Sequence, residues 1–172
     1  MDMQLPALVE DPSSGEIGEE TPAPRALACL LEYARGTCVA LPVHAGVELV
    51  EQPRVVAVPG MPHFARGLIA WQGRQLPLID LGRHLEEGGS PAPVPFSHVL
   101  VVAFQTAPGQ ALDYGALCAP FLVRMIEVTD SQQCPLPVGS ERWARMAASC
   151  FRYQGQPVPV LETARVFGPS VA

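Results

Sequence analysis

The side chains of this sequence best equipped for chemistry are five cysteines (Cys29, Cys38, Cys118, Cys134, Cys150), four histidines (His44, His63, His84, His98) and scattered carboxylates. A thiol nucleophile needs a nearby base and an orienting acid. Cys38 and His44 are neighbours in sequence, but nothing marks an acid or an oxyanion donor beside them. Cys38 opens a strand and reads as core. A cysteine hydrolase on a β scaffold is the enzymatic alternative, and it requires a low-pKa thiol at Cys38 or Cys118. The histidines show no i, i+4 pair and the cysteines no CxxC, so the spacing gives no metal site. An odd number of cysteines without a paired motif reads as reduced thiols, several of them buried. Walker loops, dinucleotide fingerprints and GxSxG elbows are absent. The carboxylate pairs are Glu86-Glu87, a solvated charge in a linker, and Glu48 with Glu51. Glu48 stands among Gly46, Val47, Leu49 and Val50, where it reads either as a plain outward face or as a specific contact. The residues therefore indicate no catalytic group, no cofactor and no metal.

Charge narrows the partner classes. Residues 1–24 hold six acids and no base, and the remaining 11 acids are matched by 11 bases, all arginine. The net charge of −6 thus belongs to residues 1–24, which read as a disordered acidic leader. A balanced body without a basic stripe argues against nucleic acid, because phosphate binding needs clustered cations. The same balance disfavours anionic membranes. No apolar run approaches the roughly 18 residues of a membrane-spanning helix, and no signal-peptide pattern opens the chain. The expected location is cytoplasmic, without direct membrane insertion.

The elements that would position these groups are strands. With 19 Pro and 15 Gly in 172 residues, long helices are not expected, and Glu141–Ala148 is the segment most open to another reading. Strands are predicted over 27–33, 38–43, 47–50, 68–71, 75–81, 98–104, 111–119, 121–128, 147–153 and 157–161. Gln52–Phe64 and Ser131–Gly139 read as extended loops, Gly82–Leu85 and Glu162–Phe167 as helical turns, and Glu86–Pro95 as a linker.

Two of the predicted hairpins repeat one another. Trp71-Gln-Gly-Arg-Gln-Leu-Pro-Leu-Ile-Asp80 aligns without a gap on Tyr153-Gln-Gly-Gln-Pro-Val-Pro-Val-Leu-Glu162. Gly73 and Gly155 would take the positive φ of tight turns. Asp80 and Glu162 end matched strands, which favours helix capping over catalysis. Proline cannot donate to a ladder, so Pro77 and Pro159 should have their N side at an edge or a bulge. The repeat predicts an all-β fold of two pseudo-symmetric, five-stranded, SH3-like barrels around a shared hydrophobic core, with short helical turns. The body, residues 25–172, would form two lobes of roughly 25–90 and 95–168. Such a module works by binding other proteins.

The motifs between Leu41 and Leu81 resemble the CheW-like domain family of bacterial chemosensory systems. Leu41-Pro42-Val43 and Glu48-Leu49-Val50 come first. Val58-Pro59-Gly60-Met61-Pro62, Phe64-Ala65-Arg66-Gly67-Leu68-Ile69 and Gly73–Leu81 follow in the family's order. The likeness continues more weakly over His98–Phe167. It implies a cytoplasmic, non-enzymatic adaptor that links the cytoplasmic helices of methyl-accepting chemoreceptors to the regulatory domain of a chemotaxis histidine kinase. By the same resemblance the groove between the lobes takes the receptor helix, the family's functional glutamate falls on Glu48, and its structural glycines fall on Gly67 and Gly115. The expected protein contacts are Glu48, Gly46, Trp71 and Gln72, while Gly67, Gly73, Gly115 and Gly155 hold backbone geometry. Three positions depart from the family pattern. Gln72 replaces the arginine tied to partner coupling, Gly46 a small branched residue, and Cys118-Ala119 a Val-Asp pair. A lost guanidinium removes bidentate pairing with a carboxylate. The departures point to an accessory pathway, such as one controlling twitching pili, as the alternative to a swimming array.

Overall fold

The computed structural model describes residues 23–85, 92–139 and 141–168. The leader up to residue 22, the Glu86-Glu87 pair and most of the linker lie outside the described residues.

Eleven strands form two sheets among the described residues. The first sheet joins β1 (Arg25–Ala34), β2 (Thr37–Pro42), β9 (Val123–Thr129), β10 (Ala147–Tyr153) and β11 (Gln156–Leu161), in the order β10-β11-β2-β1-β9. The second joins β3 (Gly46–Glu51), β4 (Val55–Val56), β5 (Ala65–Trp71), β6 (Arg74–Ile79), β7 (His98–Phe104) and β8 (Asp113–Ala119), in the order β3-β7-β8-β6-β5-β4. We call these lobe A and lobe B. Their strands are drawn across the halves 25–90 and 95–168. Strands β1 and β2 pair with the C-terminal β9 and β11, while β7 and β8, beyond the linker, complete lobe B.

The sheets are two versions of one arrangement. In each, a hairpin (β5–β6 or β10–β11) lies parallel to the second strand of another hairpin (β7–β8 or β1–β2), and an end strand (β3 or β9) closes the list. The repeated hairpins match in register. Leu68 faces Pro77 as Cys150 faces Pro159, and the register shift at Ala65/Gly67 recurs at Ala147/Ser149. The two-residue turns match as well, with φ of 45° and 75° at Gln72 and Gly73 and of 48° and 78° at Gln154 and Gly155. Positive φ at both central positions defines the turn whose twist suits a hairpin.

Three findings correct the expectations. A short β4 pairs with β5 inside the expected loop 52–64, giving lobe B a sixth strand. Glu141–Met146 is a helix, α2, because Trp143 and Met146, three residues apart, can both point into the shared core. Strands β6 and β11 are interior, not edges. Their prolines fit because the parallel ladder on the other flank starts one residue later, at Leu78 and Val160. The remaining helices, α1 (Leu81–Leu85) and α3 (Thr163–Phe167), fall at the predicted helical turns.

Packing explains why the central strands are apolar on both faces. In β7, Val99 and Val101 fill the interior of lobe B, while Leu100 and Val102 face the layer between the lobes. In β1, Ala28 and Leu30 fill lobe A, while Cys29 and Leu31 join that same layer. Trp143, Met146, Leu161 and Val166 complete it from the C-terminal elements. Alternate residues point to opposite faces of a strand, so each central strand serves two cores. Thr163, buried in this region, donates its hydroxyl to the Ala103 carbonyl at 3.0 Å and ties α3 to β7.

Candidate functional site

Glu48 and Trp71 lie on β3 and β5, at opposite sides of the lobe B sheet, yet they meet. The Trp71 indole Nε1–H donates to Glu48 Oε2 at 2.8 Å. Val50 shares a strand face with Glu48 and packs inward against the cluster of Ile69, Trp71 and Leu78. Glu48 continues that face to the rim, where its carboxylate is solvated. The register slips between Gly46 and Glu48, a bulge that disrupts the β3–β7 ladder next to Glu48. The neighbours Val47 and Leu49 are 44% and 47% exposed, so apolar surface flanks the carboxylate.

The Trp71 ring is buried and lies 5.1 Å from the Tyr114 ring, and the Arg74 guanidinium sits over the other aromatic, 5.1 Å from the Tyr114 centroid. The rim thus offers a carboxylate, an indole edge and a guanidinium from three different strands. Gln72 is exposed on the adjoining turn, in the left-handed region that ordinary side chains avoid. Gly46 differs from the other three. A Cβ there would meet Cys29 Sγ at 3.7 Å, an ordinary contact that makes no demand for glycine.

The backbone glycines fall into two kinds. A Cβ on Gly67 would lie 2.3 Å from the Val56 carbonyl oxygen, and φ is +132°. Glycine lets β4 approach β5 at this point. A Cβ on Gly115 would strike the Phe167 ring at 2.3 Å, in the space that lets Phe167 stack on Phe104 with centroids 5.4 Å apart. Gly73 and Gly155 have open space around them and serve only through positive φ.

Lobe A carries an arrangement at its own rim that sequence reasoning missed. Tyr153, the counterpart of Trp71, accepts a hydrogen bond from Arg124 Nη2 on β9. The Arg124 guanidinium also lies over the Tyr153 ring, 5.3 Å from its centroid. The aromatic was visible in the repeat. Arg124 was not, because β3 and β9 become equivalent only through sheet order. Beside this pair a cavity of about 420 Å³ opens, bordered by Glu32, Cys38, Trp143 and Pro137.

Asp80 is buried and caps α1, accepting from the Arg83 backbone N–H at 3.2 Å and from Arg66 Nη1 at 3.2 Å. Glu162 stands at the matching position of α3 without a side-chain cap bond. The capping expectation holds in one lobe and fails in the other.

Cys38 and Cys118 lack the electrostatics of nucleophiles. Burial, then the Glu32 charge, pushes Cys38 up despite an opposing effect of Arg124. Burial, then the Asp80 charge, pushes Cys118 up to about 12. Both are held protonated at neutral pH, the reverse of activation. His63 and His84 come together around Phe64, with ring centroids 5.4 and 3.9 Å from it. Among the described residues no three ligand-type side chains gather as a metal site.

The fold and these rims define a two-lobed, pseudo-symmetric β module built to present surfaces. The family model for the CheW-like domain matches residues 29–170, and the chain belongs to that family. A search of curated proteins finds no match to the sequence. Among solved structures it is similar to the scaffolding protein TtCheW from Thermoanaerobacter tengcongensis. The two share 17% identity with a TM-score of 0.63, over 80% of this chain and 89% of that one. At that identity the likeness is one of fold.

Proposed function

We propose that this chain is a non-catalytic cytoplasmic adaptor that couples chemoreceptor cytoplasmic helices to a chemotaxis-type histidine kinase. The observation that carries the reading is the Glu48–Trp71 bond. The glutamate singled out by family resemblance is fixed by a buried aromatic, at a rim flanked by exposed Val47 and Leu49. Positioned aromatic anchors with apolar neighbours are what protein interfaces use, and a receptor helix would dock through apolar anchors in a groove. Membership of the CheW-like family and the likeness to a scaffolding protein support the same reading. Among the described residues no helix is long and apolar enough to cross a membrane. Recruitment to a membrane array would therefore run through a receptor.

A binding assay with the regulatory domain of the cognate kinase, and with receptor tips, tests the proposal. Binding to at least one is expected, weakened by Glu48→Arg. Absence of both at concentrations on the order of tens of micromolar would overturn it.

Gln72 favours a second reading, a scaffold of a twitching or other accessory pathway with weakened kinase coupling. The side chain is exposed on its turn and has no guanidinium for bidentate pairing. Gln72→Arg should strengthen kinase binding, and an unchanged affinity removes the reason for this reading.

A further inference from the structure

The segment after β9 lies along the free side of β10. Gln133 forms an antiparallel bridge with Phe151, and the Cys134 backbone N–H donates to the Cys150 carbonyl at 3.0 Å. This pairing sets the two side chains next to each other, with Sγ atoms 3.5 Å apart. A disulfide needs sulfurs at about 2.05 Å, so a modest side-chain adjustment would close the gap. Cys134 is half-buried, Cys150 is buried, and both are free thiols.

We propose that Cys134 and Cys150 form a redox-responsive modification site, which a peroxide converts reversibly to an intramolecular disulfide. Cys134, the more accessible sulfur, reacts first. Its thiolate attacks one peroxide oxygen and breaks the O–O bond, giving a sulfenic acid and hydroxide. Cys150 then loses its proton and attacks the Cys134 sulfur, forming the S–S bond and expelling the sulfenic oxygen as hydroxide. The two thiols lose two electrons and two protons, and the peroxide ends as two waters. Burial, and then the neighbouring Cys134 thiol, hold the Cys150 pKa high. The resolving step should therefore accelerate as pH rises from neutral.

The cross-link would fasten Cys134 to β10 and restrain the following residues. Pro137, three positions on, borders the cavity beside Arg124 and Tyr153. Oxidation thus stiffens one rim of lobe A and leaves lobe B untouched. In a reducing compartment such a bond is transient, as suits a sensor.

The test treats the full native chain with hydrogen peroxide, blocks free thiols with N-ethylmaleimide, and maps peptides by mass spectrometry without reduction. The expected product is one peptide pair joined through Cys134 and Cys150, lighter by two hydrogens, reversed by dithiothreitol and formed faster at higher pH. Cys134→Ser should abolish it. Cys150→Ser should leave a Cys134 sulfenic acid that dimedone traps. If the buried Cys150 variant does not fold, Cys134→Ser and the wild-type map decide. A Cys134 that runs on to sulfinic acid while Cys150 stays alkylatable after unfolding would overturn the proposal, as would a Cys134 bond to another cysteine. Neither outcome bears on kinase or receptor binding.

Discussion

The two rims of this molecule are built on one plan and pair the matched aromatic with groups of opposite charge. In lobe B an aromatic at the end of the hairpin strand donates to a carboxylate, Trp71 to Glu48. In lobe A the matched aromatic accepts from a guanidinium, Tyr153 from Arg124. In lobe B Trp71 packs on Tyr114, and in lobe A a cavity opens beside Tyr153. Duplication therefore kept the frame that brings an end strand to the hairpin, and divergence rewrote the chemistry there.

The largest test of that frame lies at Gly67 and its counterpart Ser149. The register shift is the same at both, and Gln133–Cys134 runs along β10 where β4 runs along β5, but only β4 comes up against a glycine. Gly67→Ser would force a Cβ onto the Val56 carbonyl at positive φ, and should cost about 3 kcal/mol or more in denaturant unfolding. Ser149→Gly, at an exposed strand position, should cost about 1 kcal/mol or less. Equal effects would mean that β4 does not distinguish the lobes.

The frame was legible in the sequence because its signals are local and repeated. Gln-Gly turns, an aliphatic-Pro-aliphatic strand and a terminal carboxylate mark each hairpin copy, so the two lobes followed from residues 71–80 and 153–162. Apolar residues on both faces of 98–104 marked a buried strand, and the structure sets it between two cores. What stayed hidden depends on distant pairing. Val55–Val56 is too short to show a period of two, and only its partners Ile69 and Leu68 make it a strand. Residues 141–146 are helical because Trp143 and Met146 have a core to fill, a tertiary reason that Pro and Gly counts cannot express. Glu48 was open to two readings until β3 and β5 came together. Val123-Arg124-Met125-Ile126 sets a charge among apolar residues as Val47-Glu48-Leu49-Val50 does, but the opposite sign of Arg124 hides the equivalence until the sheet orders are compared.

Both lobes also hold a buried thiol whose ionisation folding suppresses, Cys118 in lobe B and Cys150 in lobe A. A raised pKa in the folded state means that the unfolded chain ionises first. The stabilisation is then complete below the ordinary thiol value of 9.0 and is lost as pH climbs through the folded value, about 12 for Cys118. Stability should be flat from pH 7 to near 9 and then fall. Cys118→Ala should flatten the decline more than Cys38→Ala, since Cys38 is less buried. His84 acts in the other direction, its pKa lowered by burial and then by Arg142 and His63. Its neutral form favours the fold above the ordinary histidine value of 6.5, and that contribution fades as pH falls below it. Urea unfolding across pH 4 to 11 reads both limbs.

Smaller changes separate the rims themselves. Trp71→Phe keeps a large ring and removes the indole donor, so it should cost about 1–2 kcal/mol, part of it lost packing. Tyr153→Phe removes an acceptor whose partner Arg124 is exposed and readily solvated, and should cost about 0.5 kcal/mol or less. A double-mutant cycle of Trp71→Phe with Glu48→Gln isolates the hydrogen bond from the packing. The coupling should exceed that of Tyr153→Phe with Arg124→Gln, and the reverse order would mean that lobe A, not lobe B, holds the better-ordered rim.

The smallest effect should appear at the turns, where the lobes are most alike. Gln72 and Gln154 hold φ of 45° and 48°, and each precedes a glycine that also has positive φ. Asparagine tolerates this conformation better than glutamine and is the preferred residue before glycine in such a turn. Gln72→Asn and Gln154→Asn should each raise stability by only about 0.3 kcal/mol, and the gains should add because the turns sit in different sheets. If they add while only the Gln72 variant changes partner affinity, the lobe B turn contributes a side chain to binding and the lobe A turn contributes geometry alone. If neither affinity moves, both glutamines are turn residues, and the polarity of the rims rests on Glu48 and Arg124.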